Sequence, residues 1–206
     1  MNLRNTHLVL FVLAAALMSV GCTAKESSRI GFISDYSNLE PVNKTSMRYL
    51  ASGEEFSQYT SFIIEPVEIH FHAQAEGIKE SRDDAQSLAI YMRGALVDAI
   101  ADEYSVVSSP GPGVARVRIA LTDIKKSSPA LNTIPQSKLI GMGLGGAAME
   151  GEIVDSQSGI QLAALIESKL GERLSLDGLS EWGDAKAVID GWAKRLRERL
   201  DEAHGK

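Results

Sequence analysis

Glu68, His70 and His72 occupy alternate positions, so on a strand all three would project from one face. Two imidazoles and a carboxylate would make three ligands of a zinc site. No fourth ligand stands nearby in the sequence, and polar residues at alternate positions are also what a solvated strand face carries. A second group, Glu150 and Glu152, could do acid–base chemistry if held at a suitable separation. Their alternation with Met149, Gly151 and Ile153 instead predicts an exposed pair on the wet side of a strand. Gly141, Gly143 and Gly146 match G-x-G-x-x-G, whose dinucleotide-binding form needs a strand before it and a helix after it. The residues that follow here alternate like a strand, so nucleotide binding is not expected. The chain has neither a nucleophile elbow nor a P-loop, and its four histidines include one at position 7 and one at 204. The expectation is a non-enzyme with no cofactor; a metal hydrolase at His70 and His72 is the concrete alternative.

The remaining reactive group is Cys22, the only cysteine. It follows a short start carrying Arg4, an uncharged run from Leu8 to Met18, and then Ser19, Val20 and Gly21. That is the three-part layout of an export signal, and its apolar core is shorter than the about 20 residues a spanning helix needs. A cysteine directly after Ser-Val-Gly resembles the lipobox of bacterial lipoproteins, although Ser19 stands where the pattern prefers Leu. The resemblance implies a thiol carrying diacylglycerol, cleavage before Cys22, and an amine acylated by a chain such as palmitate. It also implies the outer membrane, because Thr23 and not Asp follows the cysteine. The expected organisation is a signal at 1–21, a lipidated polar tether at 22–30 and a single domain at 31–206. One acyl chain binds a membrane only marginally, whereas several hold it.

Charge supports the same division. The formal net charge is −6, so the chain lacks the basic footprint of a nucleic-acid binder. Nor would charge draw it to anionic lipid. With one cysteine no internal disulfide can form, and packing must supply the stability.

The elements that position these groups follow from periodicity. Phe62–Phe71 reads as a strand interrupted by Pro66, which cannot donate a ladder hydrogen bond. Ser81–Tyr104 carries a single apolar stripe at helical spacing with Ser81 as its cap, and Asp184–Leu200 carries another with Asp184 as its cap. Val114–Ile124, Ala147–Asp155 and Ile160–Ser168 alternate as strands. A hairpin at Ser156–Gly159 joins the last two. In the expected register Arg116 and Arg118 face Glu150 and Glu152. The order β-α-β-β-β-α predicts an α+β two-layer sandwich: an antiparallel sheet of about four strands, two long helices on one face and one wet face.

The phrase GFISDYSNLEP at 31–41, with the VDSQSG hairpin downstream, resembles an uncharacterised family of bacterial lipoproteins, domain of unknown function 3313 (DUF3313). That family brings no activity and no site residues to transfer. The uncharged run 139–149 reads as a loop feeding a buried strand or as an apolar contact patch. The span 125–146 is long for a loop, which makes Leu139, Ile140, Met142 and Leu144 the candidate interaction surface. The expected function is that of an envelope lipoprotein held by acyl chains on Cys22, binding another envelope protein or a cell-wall component. A carrier of a small apolar ligand between helices and sheet is a further alternative.

Overall fold

The computed structural model describes residues 29–206. Cys22, the export signal and most of the expected tether lie outside the described residues. In chain order the strands are β1 (Glu40–Asn43), β2 (Ser46–Leu50), β3 (Ser61–Ile64), β4 (Glu68–Ile69), β5 (Ser105–Val106), β6 (Val114–Lys125), β7 (Gly146–Asp155) and β8 (Gln161–Leu170). The long helices are α2 (Arg82–Ile100) and α5 (Gly183–Ala203), and the short ones α1 (Gly53–Phe56), α3 (Pro129–Asn132) and α4 (Pro135–Leu139). The mixed α and β character agrees with expectation. The sheet does not: among the described residues it has eight strands, in the order β1-β2-β8-β7-β6-β3-β5, with β4 also on β6.

The additional strands have simple causes. Pro66 splits the expected strand 62–71 in two; β3 and β4 both pair with β6, and the ladder resumes where the His70 N–H donates to the Leu121 carbonyl at 2.9 Å. Those pairings are parallel, which corrects the all-antiparallel expectation. A strand followed by a 19-residue helix returns the chain to the end it left, so the next strand runs the same way. β1 and β2 come from a stretch whose apolar residues are too sparse to show a period.

α2 and α5 lie side by side on one face. Ser81 caps α2 as expected, accepting from the Asp84 N–H at 3.0 Å. Phe62, Leu88, Met92, Leu121, Ile189 and Leu200 are among the side chains that close the core between helices and sheet. Asp184 is not the cap of α5. It is fully buried, accepting at Oδ2 from the Ser127 hydroxyl (2.9 Å) and the Gly145 N–H (2.8 Å).

The opposite face is not wet. Every residue of β7 but the last is buried, Glu150 and Glu152 included. A second apolar cluster, Ile33, Leu39, Ala164 and Ile166 with Met47 and Tyr49 at its edge, lies on this side. Its cover is the segment 30–39, running across the back of β7 and β8 before the chain turns into β1.

Candidate functional site

The covering segment is fastened by the two acids expected in solvent. The backbone N–H groups of Ile30 and Phe32 donate to the two carboxylate oxygens of Glu150 at 2.8 and 3.3 Å. The Tyr36 hydroxyl donates to Glu150 as well. Glu152 accepts from the Ser34 N–H at 3.0 Å and the Ser34 hydroxyl at 2.6 Å, from Gln161 Nε2 at 2.9 Å, and from Arg118 Nη1 at 2.7 Å. Alternate N–H groups of an extended chain point the same way, which is why residues 30, 32 and 34 reach the same row of acceptors. A buried carboxylate is tolerated only when its lone pairs are filled, and here they are. The Phe32 ring lies 5.1 Å from the Arg118 guanidinium. Burial and the Glu150 carboxylate both push the Tyr36 hydroxyl above the ordinary tyrosine range.

The exposed pair of the sequence reading is thus a buried latch. Arg118 meets Glu152 as expected. Arg116 does not meet Glu150: it sits opposite Val154 and pairs with Glu65. The physical reason is register, since Ala120 occupies the position across from Glu150.

This strap runs in one direction along the sheet. Ile30 lies over Glu150 and Ser34 over Glu152, so Ile30 is at the end of the strap nearer the start of β7 at Gly146. Gly146 pairs with Lys125 and with Leu170, so this same end carries the two long connections, 126–145 and 171–182. They are tied together. Asn132 Nδ2 donates to the Gly143 and Gly178 carbonyls, both at 2.9 Å. The Gly171 N–H donates to the Gly145 carbonyl at 2.9 Å, and the Ser127 N–H to that of Glu181 at 2.7 Å.

The glycines of the G-x-G-x-x-G run serve this packing. Gly141 and Gly143 hold positive φ, a conformation that side chains resist. Between them they present Met142 outward and fold Leu144 back into the protein. Of the four residues expected to form an interaction surface, Leu139, Ile140 and Met142 are exposed, and Leu144 is buried. Sequence reasoning missed the second half of the patch: Leu174 is 84% exposed and Leu176 73% exposed, with Leu170 and Leu179 beside them in the chain and also open to solvent. The segment LSLDGL at 174–179 held the signal, since leucines without a period in a turn-rich stretch have no core to enter.

The proposed metal ligands do not converge. His70 Nε2 lies 2.7 Å from Glu68 Oε2 with both side chains largely exposed. The strand ends at Ile69, and His72 turns to Asp123, 3.8 Å away. Among the described residues no group of three or more His, Cys, Asp or Glu side chains is placed to hold a metal. No described helix is long and apolar enough to cross a membrane.

One mixed sheet with two long helices on one face and an N-terminal strap on the other defines the class. By sequence the chain belongs to the family described as a protein of unknown function, DUF3313, whose model matches residues 28–196. No curated protein matches it. Among solved structures it is similar to the PelC dodecamer from Paraburkholderia phytofirmans, at 10% identity and a TM-score of 0.46, covering 76% of this chain and 96% of that one. It is also similar to the hypothetical protein CT253 from Chlamydia trachomatis, at 11% identity and a TM-score of 0.39, covering 69% of this chain and 98% of the other.

Proposed function

We propose that this protein is a non-enzymatic envelope lipoprotein, anchored through acyl chains on Cys22 in the outer membrane and facing the periplasm. In this reading its apolar end rests on the anchoring bilayer and presents the rest of the domain to other envelope components. One observation carries it: the strap and the exposed apolar loops share one end of the sheet. Ile30 lies eight positions after Cys22, a span of roughly 26–29 Å when fully extended. Ile30 lies over Glu150, four residues inside the end of β7, or about 13 Å of strand. An anchor at Cys22 therefore holds Leu139, Ile140, Met142, Leu174 and Leu176 at the membrane surface. Exposed apolar patches of this kind mark protein or membrane contacts, and here the leash supplies the surface.

The test uses the absence of other thiols. In the full chain, with Cys22 consumed by lipid, cysteines introduced as Leu174→Cys, Ile140→Cys and Ile160→Cys each give a single labelling site. Ile160 is exposed in the hairpin at the far end of the sheet. A polarity-sensitive fluorophore is expected to shift to the blue at 174 and 140 in membranes and to remain water-like at 160. Equal spectra at the three sites on a membrane-bound protein would overturn the seating, and an exported, soluble chain with a free Cys22 thiol would overturn the anchor.

A further inference from the structure

On the helix face, α5 leaves part of the sheet uncovered. A cavity of about 320 Å³ opens between α5, β8 and β2, within the roughly 300–1,000 Å³ range of small-molecule sites. Its floor is low because two of the residues there, Gly151 and Ala163, carry little or no side chain. Gly151 is the helix-facing residue between Ile119 and Leu165, and the next floor position, beside Ile153, is Ala163. No register shift falls at Gly151, so it is not a bulge. The Ile119 side chain leans toward it, 3.2 Å from where a Cβ would stand, and the space beyond is left open to a ligand. The walls are apolar, with Trp192 and Leu196 on α5 facing Leu165 on β8.

The rim is cationic in a chain that is acidic as a whole. Arg48, Arg195 and Arg199 line it with two acids, Glu167 and Glu152, the latter with its carboxylate held by Ser34 and Arg118. Glu167 is committed to Arg195 and to the Trp192 Nε1–H, and Arg199 pairs with Glu202. Arg48 has no ion-pair partner among the described residues and stands exposed at the mouth, directly across from Leu165. A guanidinium beside an apolar trough suits one carboxylate or phosphate joined to hydrocarbon. β2 follows the cavity for five residues, about 15 Å of strand, so the trough is elongated.

We infer that this cavity binds a single-chain anionic amphiphile of the fatty-acid class, its hydrocarbon between α5 and Gly151 and its acidic head on Arg48. The site lies on the helix face, whereas the strap and its acids occupy the other. It therefore does not depend on how the chain is anchored.

The test is photo-crosslinking on the full chain with dodecanoate bearing a diazirine near its terminal methyl, beside the matching dodecanol. Dodecanoate adducts are expected on residues 163–165 and 192–200. They should fall roughly tenfold in Arg48→Gln, which removes a charge-assisted hydrogen bond, and disappear in Ala163→Leu, which fills the floor. Arg48 is exposed, so its variant tests the head-group contact even if Ala163→Leu fails to fold. Equal labelling by dodecanol overturns the anionic head. Adducts confined to 139–142 and 174–179, or none, overturn the site, and they do so whether the protein is found on the membrane or free of it.

Discussion

On the helix side of the sheet, the buried positions of β6 and β7 include Val117, Ile119, Met149 and Ile153; on the strap side, Arg118, Glu150 and Glu152 stand among small apolar residues such as Ala120 and Ala148. The helices bring their own internal hydrogen bonds and need from the sheet only an apolar surface. Among the described residues the strap has no ladder partner along 30–34, so its N–H groups need acceptors, and two glutamates supply them. A helix can be closed down by hydrophobic burial, whereas a lone extended segment has to be held by directed polar contacts. A face closed by apolar packing depends little on pH or on any one bond. One closed by carboxylates depends on each.

The largest effect that would sharpen this contrast lies on the helix side. Phe62 is fully buried and meets the Tyr104 ring edge-on at 5.8 Å between centroids. Phe62→Ala is expected to cost about 3–5 kcal/mol, read as a lower urea midpoint. On the strap side Glu152→Ala strands Arg118, the Ser34 N–H and Gln161 together. Breaking a fully buried pair costs about 3–5 kcal/mol, but Arg118 is 37% exposed and water screens it, so about 2–3 kcal/mol is expected. The two variants should differ in kind as well. Amide exchange in Glu152→Ala should rise first at residues 30–36, while Phe62→Ala should loosen the helices and sheet together. A Glu152→Ala variant that lost protection evenly across the molecule would break the distinction between the two faces.

The helix side was legible in the sequence because burial there follows a period. The stripe from Ala85 to Ile100 and the alternation through Val117, Ile119 and Leu121 could be read from residue types alone. The strap side was not, for the same physical reason that makes it distinctive. Alternating Glu150 and Glu152 look identical whether water or backbone N–H groups fill their lone pairs. The donors lie about 120 residues away in a segment, GFISDY, with no period of its own. Asp184 misled in a related way. An acid at a helix start reads as a cap, and only the fold shows that Ser127 and Gly145 claim it. The candidate surface was half visible: an uncharged glycine-rich run identifies Leu139 to Met142, but nothing local reveals that Leu174 and Leu176 lie at the same end of the sheet.

The smallest expected effect separates the faces by proton chemistry. Tyr36 donates to Glu150 on the strap side, while Tyr91 donates to Asp190 across the two helices at 2.8 Å. Burial, reinforced by the neighbouring carboxylate, raises both hydroxyls, Tyr91 to about 12. Tyr36→Phe leaves the Phe32 N–H still on the same carboxylate oxygen, so a loss of about 1.5 kcal/mol is expected at neutral pH, near the low end for a bond to a charged group. A hydroxyl raised by folding stabilises fully below its unfolded value of about 10 and loses that contribution as pH climbs through its folded value. The gap between wild type and Tyr36→Phe should therefore be constant from pH 7 to about 9 and narrow above about 10, as strap protection in the wild type falls. Tyr91 titrates in both proteins and cancels in the difference. A gap that stayed level to pH 12 would mean that the Tyr36 proton does not hold the strap, leaving the backbone N–H groups and Ser34 to fasten it alone.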